Sequence, residues 1–82
     1  MRIEIVNGRE LVCGHIFKTD EIKEGQLWAA ADGANHVVKI SKVHYQCEWI
    51  EYEWTDSKGM LHIHEKQAFA FQCRYCKVVE HE

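Results

Sequence analysis

The chain predicts a small, mainly β domain folded as a barrel or sandwich, and three observations indicate this class. Polar and apolar residues alternate over residues 48–54 and 60–65, as they do in half-buried strands. Asn7-Gly8 stands between two β-rich runs, which is a strong hairpin signal. Turn residues recur at intervals of roughly 8–12 positions, and no long segment has a helical period. With 82 residues, we expect one domain, residues 1–82, with a small core.

The predicted elements follow from local patterns along the chain. Asn7 and Gly8 both tolerate the positive φ of a type I′ turn, so they predict an N-terminal hairpin. Val43 is out of phase with Val38 and Ile40, which predicts a β-bulge near Ser41-Lys42. The predicted strands are residues 2–6, 9–17, 26–30, 37–45, 48–54 and 60–65, followed by a helical turn within 66–71 and a knuckle and last strand within 73–79.

The same alternation predicts which side chains form the core. Ile50, Tyr52 and Trp54 share one face of their strand, and Trp49, Glu51 and Glu53 share the other. The predicted core is Leu27, Val38, Ile40, Ile50, Tyr52, Trp54, Leu61, Ile63 and Phe69.

A resemblance supports this fold. The segments that carry it are Glu24-Gly25-Gln26-Leu27-Trp28, Val37-Val38-Lys39-Ile40, Ile50-Glu51-Tyr52-Glu53-Trp54, Gly59 and Phe69-Ala70-Phe71. Residues 22–72 resemble small SH3-like barrel proteins of the accessory type found in phages and prophages. The resemblance implies an SH3-like barrel in which a phenylalanine near the end of the matched segment lies on a short helical turn. The N-terminal hairpin and the cysteine pairs lie outside that pattern.

Cysteines and a histidine near the two chain ends predict a structural zinc site. Cys13 and His15 form a Cys-x-His pair, and Cys73 and Cys76 form a Cys-x-x-Cys pair. Zinc is commonly held by four such ligands taken as two close pairs. The alternative is that Cys13 is a small core residue and the other two are free thiols. Cys47 is the odd cysteine and is the alternative fourth ligand in place of His15.

Other residues with metal-binding or catalytic chemistry give weaker signals. His62 and His64 form a His-x-His pair, which binds zinc, copper or nickel in some proteins, but an exposed polar strand face is the favoured explanation. Cys13 with His15 is a conceivable thiol–imidazole pair. The chain contains no phosphate-binding glycine loop and no nucleophile elbow. We therefore expect no enzymatic activity.

Charge is distributed unevenly, and this suggests binding surfaces. The net charge is −3, which argues mildly against a dedicated nucleic-acid binder. Residues 48–56 carry only acidic charges, and Trp49 among them is predicted to be exposed. An exposed tryptophan among carboxylates suits a protein partner, because aromatic anchors dominate protein interfaces. The predicted partner-binding residues are Trp49, Glu51 and Glu53, and the alternative nucleic-acid-binding residues are Lys58, Lys66, Arg74 and Lys77.

Three function classes remain at this stage. The favoured one is a non-enzymatic protein-binding accessory or inhibitor module, of the phage-encoded kind, that carries a structural zinc. The alternative is a zinc-containing nucleic-acid-binding module, and the third is a component of a larger assembly. The composition and the lack of an apolar run near the roughly 20 residues of a membrane helix predict a cytoplasmic protein without membrane contact. The oligomeric state and the identity of the partner are open.

Overall fold

Seven antiparallel strands in one sheet make up most of the fold. The computed structural model describes residues 1–32 and 35–79. The strands are β1 (Arg2–Val6), β2 (Arg9–Cys13), β3 (Leu27–Ala30), β4 (Val37–His44), β5 (Trp49–Thr55), β6 (Leu61–Gln67) and β7 (Tyr75–Val78). Within these described residues, helical structure is limited to a 3₁₀ turn at Thr19–Glu21 and one short helix, α1 (Ala68–Gln72). The prediction of a mainly β domain is confirmed.

The N-terminal hairpin forms at the predicted turn. Asn7 and Gly8 have φ angles of 51° and 78°, and Val6 pairs with Arg9. Both positive angles belong to the type I′ turn that joins strands without splaying them. The second strand ends at Cys13 and is therefore shorter than predicted.

A β-bulge interrupts the pairing of β4 with β5 at the predicted place. Ile40 lies opposite Tyr52, whereas Lys42 lies opposite Glu51, so one residue of β4 is skipped. The extra residue moves Val43 onto the same face as Ile40, and both are buried. The bulge thus explains why Val43 is out of phase with Val38 and Ile40 in the sequence.

The last strand lies in the middle of the sheet. The strand order is β1-β2-β7-β3-β4-β5-β6, so β7 joins the N-terminal hairpin to the β3–β6 meander. Leu11 of β2 lies opposite Val78, and Trp28 of β3 lies opposite Lys77. Among the described residues the ladders end at β1 and β6, so the strands form one open sheet and not the predicted closed barrel or two-sheet sandwich.

The main core lies on one face of the sheet, which we call the inner face. Trp28 and Phe71 are fully buried, and their rings meet edge to face at 5.2 Å. The Gln72 amide holds the segment before the 3₁₀ turn in place, because it both accepts from and donates to the backbone of Phe17. The cluster consists of Ile22, Trp28, Val38, Ile40, Val43, Ile50, Tyr52, Ala68 and Phe71.

The predicted core is partly wrong. Val38, Ile40, Ile50 and Tyr52 are buried as expected, and Trp54 is half-buried against the cluster. The four residues that were predicted to be buried but are exposed are Leu27, Leu61, Ile63 and Phe69.

Register and helix phase explain these corrections. Trp54 lies opposite His62, and residues directly opposite in a ladder share a face. Leu61 and Ile63 therefore point to the other face. Helix α1 buries Ala68 and Phe71, which are three residues apart on one side of the helix, so Phe69 faces outward. In β3 the strand phase is shifted by one residue, and Trp28 takes the inward place predicted for Leu27.

A second, smaller core lies on the opposite face, which we call the outer face. It centres on Leu11 and Ala29, which are almost completely buried. Ala29 follows Trp28 directly, and successive side chains of a strand point to opposite faces. The residues packed around the pair are Val6, Cys13, Val37, Cys76 and Val78.

Candidate functional site

The outer face of β4, β5 and β6 carries exposed apolar side chains beside charged ones. Leu27, Lys39, Glu53 and Ile63 form one continuous row across four strands. Leu27 is 42% exposed and Ile63 is 55% exposed. We call this region the outer patch; its members are Leu27, Lys39, Lys42, Trp49, Glu51, Glu53, Leu61, Ile63 and Glu65.

Trp49 lies at the start of β5, at one end of the outer patch. Its side chain is 41% exposed, as the sequence predicts. A shallow hollow of about 270 Å³ beside it is lined by His44, Cys47, Trp49 and Glu65. The indole therefore has an open space next to it in which another side chain can lie.

The other two predicted partner-binding residues lie in the same patch but are half-buried. Glu53 is opposite Lys39 in the ladder, and Glu51 is opposite Lys42. The Ser41 hydroxyl lies 3.5 Å from a carboxylate oxygen of Glu51. Lysines thus alternate with glutamates across this face, which reduces its negative charge below what the sequence of β5 alone suggests.

Three imidazoles surround Trp54 on the inner face. The His62 ring stacks on the indole at 5.1 Å and 10°, and the His36 ring meets it edge to face at 4.8 Å. The His64 ring is tilted against it at 4.7 Å. We call these four residues the histidine–tryptophan cluster. Tyr52 contacts both Trp54 and His64, so the cluster continues into the main core.

Asp56 anchors one of these imidazoles. His62 Nε2 lies 2.8 Å from Asp56 Oδ2. The other carboxylate oxygen accepts hydrogen bonds from the backbone N–H groups of Lys58 and Met60. The hydrogen bond with His62 is the main cause that holds the pKa of Asp56 below its usual value. The β5–β6 turn and the position of His62 are thereby coupled.

Arg74 lies in the turn between α1 and β7, beside the aromatic rings of the inner face. Its charge opposes the rise that burial causes in the pKa values of Tyr52 and Tyr75. A hollow of about 410 Å³ next to it is lined by Ala30, Ala31, Asp32, His36, Cys73, Arg74 and Tyr75. The other predicted nucleic-acid-binding residues lie elsewhere: Lys58 in the β5–β6 turn, Lys66 in β6, and Lys77 in β7.

The predicted zinc ligands are only partly brought together. Cys13 and Cys76 are half-buried and pack against the same small core. His15 is exposed with its ring edge-to-face on Phe17 at 4.5 Å, and Cys73 is exposed at the end of α1. Within residues 1–32 and 35–79, no three histidine, cysteine or acidic side chains are grouped closely enough to hold a metal ion. The four-ligand zinc site stays a prediction.

The thiol of Cys13 has a neighbour that the sequence does not reveal. A hydrogen bond with the Glu4 carboxylate, with burial and the nearby Cys76 thiol, raises the pKa of Cys13 to about 12. The same hydrogen bond lowers the pKa of Glu4. At neutral pH Cys13 is therefore a protonated thiol, which is a poor nucleophile. A thiol–imidazole pair of Cys13 with His15 gains no support from this environment.

Sequence reasoning missed the histidine–tryptophan cluster. The favoured explanation of His62 and His64 from sequence is an exposed polar strand face, and no sequence pattern singles out His36. The cluster can be recognised only once the register of β6 is known. Pairing Trp54 with His62 places both His62 and His64 beside Tyr52 and Trp54. Register depends on the geometry of the Asp56–Met60 turn, which composition alone does not specify.

No helix in the described part of the chain is long and apolar enough to span a bilayer. A comparison with protein-family models, with curated proteins and with solved structures finds no match in any of the three.

Proposed function

We propose that the protein is a non-enzymatic protein-binding module and that the outer patch is its binding surface. One observation carries the proposal: Leu27, Trp49, Leu61 and Ile63 are all more than two-fifths exposed on the same sheet face. Leu61 and Ile63 are neighbours on one face of β6, and Lys39 and Glu53 separate them from Leu27. Exposed apolar surface rimmed by polar residues is typical of interaction sites. Burying such groups against a partner removes apolar area from water, which is the main driving force of association.

The chemistry of the outer patch defines the partner that fits it. Three glutamates and two lysines surround the apolar side chains, so the face is only slightly acidic. The apolar contacts then supply most of the affinity, with Trp49 as the aromatic anchor. Charge contributes mainly to partner choice and to the rate of encounter. A partner with an apolar ridge flanked by a few basic residues is complementary to this surface.

The edge position of β6 supports the same proposal. β6 ends the strand order and has β5 as its ladder neighbour, so its outer edge can accept a further strand. An extended segment of the partner that pairs with this edge also covers Leu61 and Ile63. The resemblance of residues 22–72 to small SH3-like accessory proteins points to the same class, an accessory or inhibitor module of the phage-encoded kind. The structural zinc is a separate prediction, which the metal content of the purified protein checks.

The test compares one substitution on each of two exposed apolar surfaces. Ile63→Glu places a charge in the outer patch, and Ile5→Glu places it on the N-terminal hairpin, where Ile5 is 74% exposed. We expect a partner retained by the wild-type chain from its source lysate to be lost with Ile63→Glu and Trp49→Ala, and kept with Ile5→Glu. All three proteins should keep their Tm. If both glutamate variants bind equally well, the outer patch is not the interface.

A second copy of the same chain could also bind the outer patch. Size-exclusion chromatography with light scattering measures the mass in solution and detects such a dimer. A dimer that Ile63→Glu converts to a monomer, without any other retained protein, makes the outer patch a self-association surface and contradicts the accessory-module proposal.

The nucleic-acid alternative rests on a different observation. Arg74 lies close to partly exposed aromatic rings of the inner face, and rings beside a guanidinium suit stacked bases. The four predicted basic residues are spread over four elements, however, and do not form one stripe. Binding of a labelled single-stranded oligonucleotide that weakens with salt and is lost in Arg74→Ala would favour this alternative over the outer patch.

A further inference from the structure

Two cysteines on neighbouring strands lie in a position where a covalent bond can form between them. Leu11 of β2 lies opposite Val78 of β7, and Val12 lies opposite Lys77. Continuing this register by one step beyond Val12 and Lys77 places Cys13 opposite Cys76. Cys13 belongs to β2 and Cys76 to β7, so both keep extended backbone geometry at that point.

The hydrogen-bond pattern identifies the type of this pair. The Val79 N–H donates to the Glu10 carbonyl at 2.9 Å, and extending the register by one step before Leu11 and Val78 places these two residues opposite each other as a hydrogen-bonded pair. Hydrogen-bonded and non-hydrogen-bonded pairs alternate along an antiparallel ladder, which makes Cys13–Cys76 a non-hydrogen-bonded pair. Opposite Cα atoms in such pairs are about 4.5 Å apart, within the range of roughly 4.4–6.8 Å that a disulfide spans.

Side-chain direction agrees with the register. Cys13 and Cys76 both pack against the small core of Leu11 and Ala29, so their thiols point to the same face. The Cys76 thiol is close enough to Cys13 to be one of the causes that raise the pKa of Cys13. Cys73 lies three residues before Cys76 in the sequence. It is exposed at the end of α1 and does not belong to this ladder.

We propose that Cys13 and Cys76 form a reversible disulfide that locks the N-terminal hairpin onto the rest of the sheet. The oxidant is a small disulfide such as oxidised glutathione. The Cys76 thiolate attacks one of its sulfurs and releases one glutathione thiolate. Cys13 then loses its proton and attacks the Cys76 sulfur, and the second glutathione leaves. Two protein thiols and one glutathione disulfide thus give one protein disulfide and two reduced glutathiones.

The position of the bond gives it a defined effect. The hairpin meets the rest of the sheet through the β2–β7 ladder, and the disulfide adds a covalent link across it. It also closes a long loop between positions 13 and 76, and long loops gain most from cross-linking. We expect oxidation to raise Tm by at least about 10 °C.

The test uses the wild-type chain and a Cys47→Ser/Cys73→Ser variant, in which Cys13 and Cys76 are the remaining thiols. After equilibration in oxidised glutathione, mass spectrometry of the digest should show peptides of Cys13 and Cys76 joined and lighter by two hydrogens. Tm should rise in both proteins. The matched control adds Cys13→Ser to the double variant, and its Tm should not respond to oxidation.

Several results would overturn the proposal. One is a Cys73–Cys76 bond as the main product of the wild-type chain. Another is a double variant that gives only glutathione adducts or intermolecular dimers. A third is stoichiometric zinc held by Cys13 and Cys76 in reducing buffer, since a metal would then occupy the thiols. Linkage mapping in the wild-type chain needs no substitution, so a variant that fails to fold does not remove the test.

Discussion

The two faces of the β4–β6 region differ in which residues they bury and which they expose. The inner face buries Ile40, Ile50 and Tyr52 and continues into three histidines around Trp54. The outer face of the same strands leaves Trp49, Leu61 and Ile63 exposed among charges. The apolar residues of β6 are therefore on the solvent side, and its histidines are on the core side. This arrangement is the reverse of simple amphipathic patterning, in which the apolar residues of a strand face the core.

The largest expected effect tests the core side of this comparison in β3. Trp28→Ala should lower the free energy of unfolding by about 3–5 kcal/mol, because the indole is fully buried against Phe71. Leu27→Ala, one residue away on the outer face, should change it by less than about 0.5 kcal/mol. Urea titration of both variants measures the difference. Equal losses would mean that the two faces are not distinguished by burial at this strand.

Trp54→Ala should have an intermediate effect. Its indole is half-buried and contacts three imidazoles and Tyr52, so we expect a loss of about 2 kcal/mol rather than the full value of a core tryptophan. Histidine ring signals in NMR spectra should shift for His36, His62 and His64 together. Unchanged shifts for all three would contradict the cluster.

A smaller effect concerns the Asp56–His62 contact. A carboxylate whose pKa is lowered in the folded state adds stability above its ordinary pKa, and this is lost as pH falls through the folded value. Part of the loss of stability below about pH 4 should therefore come from Asp56. Asp56→Asn should reduce the dependence of stability on pH in this acidic range. His62→Gln should have a similar effect, because it removes the hydrogen bond that is the main cause of the lowered pKa of Asp56. Thermal unfolding between pH 2 and 7 measures this, and an unchanged acid branch in both variants would contradict it.

The smallest expected effect concerns charge on the outer patch. Glu51→Lys with Glu53→Lys should slow association with the partner by a few-fold and reduce its salt dependence. The effect is limited because Lys39 and Lys42 already lie opposite these glutamates. Stopped-flow association at two salt concentrations measures it. Faster association after charge reversal would show that the partner surface is acidic.

The strands, the first turn and the bulge could be predicted because each depends on neighbouring residues. Asn7-Gly8 needs no tertiary information to form its turn, and the phase change between Ile40 and Val43 directly implies a skipped residue. The face of β6 could not be predicted, since it depends on the register that the Asp56–Met60 turn sets. The sequence of β6 is compatible with either face being turned toward the core. Leucine and isoleucine alternate with histidines, and histidines can also pack on aromatic rings.

The candidate site divides in the same way. Exposure of Trp49 follows from alternation within β5 and could be predicted locally. The proximity of Cys13 and Cys76 depends on β7 entering between β2 and β3, a long-range pairing that no local pattern encodes. The zinc prediction does bring Cys13 and Cys76 together, but as two of four ligands with His15 and Cys73, and the described structure does not group these four residues.

The central place of β7 has a consequence for the order of assembly. Residues 75–78 supply the only strand between the hairpin β1–β2 and the meander β3–β6 in the described fold. During synthesis both of these parts leave the ribosome before residues 75–78 do. They can each form local contacts early, but they cannot join until the final strand is inserted between them. Folding of the complete sheet is therefore a late event, and a chain cut before Tyr75 should leave two separate pieces of sheet with unpaired edges.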